Sequence, residues 1–202
     1  SARAAEDGYV LHINKDAYVC ASPFVADYTL TGEDGQTVFS GEDFVEVYHL
    51  TADGAGEQDV SIAAYSVNID AEAPEKAGYR RVGLEDSGCF SAETAGKLRA
   101  VVQWSYPHKD VSAIQAAANP WLQSHGLPEI RHLQSGEAVL AAQLAIWELT
   151  NQGKFTVNEY LSGWEDMTTP GWRNYLRKVT NADVSREPLT EDSAANVAGL
   201  YR

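Results

Sequence analysis

Residues Gly136 to Thr150, GEAVLAAQLAIWELT, are apolar on nearly every side of a helix. Ala138, Val139, Leu140, Ala141, Ala142, Leu144, Ala145, Ile146, Trp147 and Leu149 leave no wide polar face. Such a helix is either buried in a core or spans a membrane. Spanning takes about 20 apolar residues, so this run is expected to be a core helix that the rest of the chain wraps. Ser135 stands where an N-cap belongs, Glu137 suits the positive end of the helix dipole, and Gly153 provides a C-terminal stop.

Gln143 is the exception within that run. A buried carboxamide without a partner costs roughly 1–3 kcal/mol. Either nearby backbone or a hydroxyl satisfies it, or it is kept for chemistry.

A buried helix needs apolar neighbours, and the order of elements supplies them. Alternation predicts strands at Tyr9–Ile13, Ala17–Ala21, Asp27–Leu30, Gln36–Phe39, Phe44–Leu50 and Val60–Ile69, with a short one at Tyr79–Val82. Turn chemistry marks Thr31–Gly35, and 51–59 reads as a loop. From Ser91 the pattern becomes helical. Ser91 caps a helix to Trp104; Asp110 caps a short one to Ala118, broken at Asn119–Pro120; Pro170 opens one over Gly171–Val179; Thr190 caps the last, to Tyr201. Strands first and helices second indicate an α+β fold, a β-rich part over 1–90 and a helical part over 91–202, in one domain.

Charge and motifs narrow the function. Fifteen Lys and Arg against 29 Asp and Glu give a net charge of -14, which disfavours nucleic acid and anionic membrane surfaces. The two cysteines, Cys20 and Cys89, allow a disulfide or two buried thiols, and neither lies in a CxxC spacing. None of the five histidines falls in HExxH, so neither a metal nor a cofactor is expected. Ser66 or Cys89 with His108, His125 or His132 would be the raw material of an enzyme, but no nucleophile elbow or protease cysteine signature surrounds them. Trp104, Tyr106, Trp121 and Trp164 allow an aromatic contact patch, although large aromatics are more often core.

Five motifs in order carry a resemblance: Tyr65-Ser-Val-Asn-Ile-Asp70, Gly78-Tyr-Arg-Arg-Val-Gly-Leu-Glu-Asp86, Lys97-Leu-Arg-Ala-Val-Val102, Ser105-Tyr-Pro107 and Glu137-Ala-Val-Leu-Ala-Ala-Gln143-Leu-Ala-Ile-Trp147. Together they resemble thioester domains, the adhesive tips of surface proteins and pili of Gram-positive bacteria. The resemblance implies a secreted, cell-wall-anchored protein in which this domain is a monomeric part of a longer chain. It implies a host surface or matrix protein as partner, captured through an amine such as lysine, in a single event without turnover, so not an enzyme. In that family a cysteine and a glutamine side chain join with loss of ammonia, and Gln143 falls on the glutamine. Tyr65 and Trp147 are then the binding candidates: Tyr65 either lines the pocket or simply packs, and Trp147 stands beside Gln143, where core packing is its ordinary role. The cysteine position falls on Ser66. A hydroxyl is a far weaker nucleophile than a thiolate at neutral pH. Ser66 is therefore a substitution that traps the unreacted state, or a natural loss of the bond, or else Cys20 or Cys89 is the reactive thiol.

Overall fold

The computed structural model describes residues 11–13, 20–52, 61–69, 78–80, 82–158 and 192–202. Its β-rich part is antiparallel throughout: β1 (Leu11–Ile13), β2 (Cys20–Thr31), β3 (Thr37–Ala52), β4 (Ser61–Ala64) and, far along the chain, β5 (Phe155–Val157). β2 and β3 form a long hairpin, with Tyr28 opposite Gly41 and Leu30 opposite Phe39. Its turn closes as the Gly32 amide donates to the Gln36 carbonyl at 2.8 Å and Gly35 takes φ +76°, a conformation that glycine adopts without cost. The register slips between Ala21 and Val25, around Pro23, which has no amide to donate to a ladder.

β3 is one strand where the sequence pattern suggested two, and it outlasts its partner β2. β1 and β4 both pair with Leu50 and Thr51, so they occupy opposite edges of the end of β3. The long strand expected over Val60–Ile69 is cut short. Only Ser61–Ala64 pairs, and residues 65–69 leave the sheet. The expected strand at Tyr79 reduces to one bridge with Leu11.

Four helices follow among the described residues. α1 (Ala92–Gln103) is capped by Ser91, whose hydroxyl accepts from the Thr94 amide at 3.2 Å. α2 (Val111–Ser124) is capped by Asp110 through the Ala113 amide at 2.8 Å. It does not break at Pro120, contrary to the sequence expectation. Leu122, fully buried, draws the last turn into the core, and the Asn119 side chain pins it by bonding both the amide and the carbonyl of Ile130 (2.8 and 3.0 Å). Those contacts offset the helix bond that proline removes. α3 (Ser135–Thr150) begins one residue early: Gln134 is its N-cap, and the Glu137 carboxylate accepts the Gln134 amide at 3.0 Å. Gly153 follows at φ +75°. α4 (Ser193–Tyr201) starts at Asp192. The helix expected over Gly171–Val179, Thr190 and Trp164 lie outside the described residues.

α3 is enclosed as its composition requires. Every residue from Gly136 to Leu144 is buried, as are Ile146 and Trp147. Val139, Leu140, Leu144 and Trp147 meet Tyr28, Leu30, Val45, Val47 and Phe155 of the sheet. Ala138 meets Ile114, Leu122, Ile130 and Leu133. At the far end of α3, Tyr201 of α4 donates to the Glu148 carboxylate. Burial first, and that hydrogen bond second, raise the Tyr201 phenol above its ordinary value. The fold thus prefers the protonated phenol, so this contribution is complete below about pH 10 and is lost as pH climbs beyond it. Urea midpoints of the natural chain should fall above pH 10 more steeply than those of Tyr201→Phe; parallel profiles would refute the assignment.

Candidate functional site

The shortened β4 decides what Gln143 meets. Past Ala64 the chain leaves the ladder, and the carbonyl of Ser66 becomes available to another donor. Gln143, 1% exposed, donates its Nε2 to that carbonyl at 2.7 Å. A carboxamide in an apolar helix is thereby satisfied by main chain, and it stands against residue 66, which is 77 positions away in sequence. The Ser66 hydroxyl is half-buried and turned elsewhere, donating to the Asn68 carbonyl at 3.1 Å. It is bonded to no histidine.

The residues on either side hold this pairing in place. The Tyr65 hydroxyl donates to the Tyr106 carbonyl, which ties the segment before Ser66 to the loop between α1 and α2. Ser105, buried in that loop, donates to the Val102 carbonyl at 2.7 Å. One turn beyond Gln143, Trp147 is 4% exposed and packs on Tyr28 with ring centroids 5.7 Å apart. Its indole nitrogen has no hydrogen-bond partner among the described residues. Trp147 is thus a core wall of the site.

At the other end of the helix, Glu137 is fully buried. Its Oε1 accepts from the Gln134 amide and from Asn196 Nδ2 at 2.9 Å, while Asn196 also pairs with the main chain of Arg131 through both its amide and carbonyl. The sequence placed Glu137 near the helix dipole. Its role in joining α3 to α4 depends on a contact 59 residues away, which no local pattern reveals.

Beside the Gln143–Ser66 pair lies a cleft of about 750 Å3. Tyr65 and Val67, the neighbours of Ser66, line it together with Leu98 and Val102 of α1 and Ile146 of α3. His108 also lines it, and desolvation lowers its imidazole below the ordinary value.

The other candidates scatter. Cys89 is an exposed, free thiol in the turn before α1, its Sγ 3.6 Å from the Ser87 carbonyl. The Cys20–Cys89 disulfide that the sequence allowed is therefore not formed: Cys20 lies on β2 opposite Val47, and Cys89 belongs to a separate surface turn. The Cys20 side chain lies outside the described part. His125 stacks on Trp121 with centroids 4.0 Å apart, away from either candidate nucleophile. The described members of the aromatic patch do not share one environment: Trp104 and Trp121 are exposed, Trp104 lying under the Lys109 ammonium at 5.1 Å, whereas Tyr106 packs into the core.

A family model described as the thioester domain matches residues 63–185, more than half of the chain, and this span holds both Ser66 and Gln143. No curated protein and no solved structure matches.

Proposed function

The chain belongs to the thioester-domain family, and from that premise we propose that it is an adhesin domain of a Gram-positive surface protein whose acyl-donor site is assembled but unbonded. The observation that carries this reading is the 2.7 Å bond from buried Gln143 to the main chain of Ser66. With cysteine at position 66, the thiol would attack the Gln143 carboxamide carbon. The C–N bond would break, a C–S bond would form, and one ammonia would leave. An amine of the partner, such as a lysine, would then displace the sulfur, giving an amide and regenerating the thiol. Burial protects such an acyl group from water until the amine arrives.

Serine cannot follow this route at neutral pH. Its hydroxyl has no accessible anion, and here it is engaged with Asn68 rather than with a base. As the chain stands, it holds its host partner without a covalent bond.

Intact mass under denaturing, non-reducing conditions tests both halves of the reading. The Ser66 chain should have its full sequence mass and take up no methylamine. Ser66→Cys should be lighter by one ammonia and should gain one methylamine on treatment. Ser66→Cys at full mass, inert to methylamine, would end the proposal.

A further inference from the structure

β4 pairs with β3, and among the described residues its second edge carries no partner strand. Ile62, Ala63 and Ala64 of that strand line the 750 Å3 cleft, and α1 contributes Leu98 and Val102 to the same lining. A strand edge beside a helix, with apolar side chains lining the space between them, has the form of grooves that take up an extended peptide by strand addition. Two of the lining residues, Val67 and Val82, are 42% and 61% exposed, an apolar surface with no use in the domain by itself.

We propose that this cleft is the docking groove for an extended, lysine-bearing segment of the partner polypeptide, which pairs with the edge of β4 that carries no partner strand among the described residues. The inference rests on the adhesin reading and specifies how its partner is presented. Three observations select this occupant. A main-chain edge without a partner strand among the described residues favours a polypeptide in strand conformation, because its amides and carbonyls satisfy those of β4. The charge of -14 favours a basic segment, and Arg99, the one Lys or Arg in the lining among the described residues, is already paired with Glu85. Finally, β4 runs directly into Tyr65 and Ser66, so a segment paired along it places its next side chains beside the Gln143 site.

The chain with Ser66 in place serves for the test, so the outcome does not depend on cross-linking. The probe is a pool of short, end-blocked synthetic peptides with lysine fixed at the centre and flanking positions randomised, passed over immobilised protein. Retained peptides should alternate apolar and polar residues and carry net positive charge. The best of them should slow hydrogen exchange of those amides of Ile62–Ala64 that point away from β3. Val82→Lys, a change at an exposed position, should weaken retention by about tenfold, equivalent to about 1.4 kcal/mol. Val38→Lys, at an exposed valine outside the cleft, should leave it unchanged. Retention without sequence bias, or with protection elsewhere, would overturn the proposal. So would slow exchange, in the free protein, of the β4 amides that point away from β3, or a dimer abolished by Val82→Lys. Those last two results would mean that another part of the chain, or a second copy, already covers the edge. Failure of Ser66→Cys to lose ammonia is a separate result and bears on the acyl-donor reading alone.

Discussion

Ser66→Cys should melt roughly 10 °C or more above the Ser66 chain, and methylamine should erase the difference. Formation of the bond would join residues 66 and 143, whose separation is 77 positions. A cross-link removes conformational freedom from the unfolded chain, and for a loop of that length the chain-entropy relation gives about 4–5 kcal/mol. For a chain of this size each kcal/mol moves the midpoint by about 2–4 °C. Aminolysis cuts the loop while leaving every packed contact in place, so the gain should vanish although the fold persists. A serine chain carries no such loop, and its melting point should ignore methylamine. The contrast separates a cross-link from a mere improvement in packing by the sulfur, which methylamine would not reverse. Scanning calorimetry of the two proteins with and without amine decides it; equal midpoints for the untreated pair would count against the bond.

Leu140→Ala should be the most damaging single truncation in the described core, lowering stability by about 2–5 kcal/mol. Leu140 is fully buried midway along α3, in the cluster that joins the helix to the sheet. Its helix has no solvent side towards which neighbours can relax, since Val139 and Ala141 beside it are also buried. The cavity therefore stays open, and cavity cost adds to the lost transfer free energy. Leu149, half-buried near the end of the same helix, provides the comparison. Its truncation should cost about 1 kcal/mol or less. Urea titration of both variants is the measurement, and equal losses would show that α3 is less enclosed than described.

The buried helix was legible because its apolar residues follow no face. That single property demanded neighbours all round, and the sheet, α1, α2 and α4 provide them. Capping residues Ser91 and Asp110 were equally plain, because a cap is a local interaction. Errors arose where distant contacts overrule local preference. Pro120 is a helix breaker by every local rule, yet α2 continues through it because Leu122 is buried and Asn119 grips Ile130, eleven positions away. Val60–Ile69 reads as one strand, yet pairing stops at Ala64 because α3 supplies Gln143 to the next stretch of backbone.

At the site, the partners themselves were readable from a polar residue in an apolar helix and from the order of motifs. The atom that joins them was not. Sequence reasoning sets side chain against side chain, whereas the amide grips a main-chain oxygen. The tie from Tyr65 to Tyr106 and the cleft against α1 likewise depend on a loop packing against a strand about 40 residues earlier.

That grip on the main chain makes the amide indifferent to which amino acid occupies position 66. A carbonyl oxygen is the same in serine, cysteine or alanine, so exchanging one for another alters the reactivity of the domain while the unreacted glutamine keeps its seat. Before any bond forms, armed and disarmed chains share one architecture; bonding then exchanges this grip for the covalent link, because the gripping nitrogen is the one that leaves as ammonia.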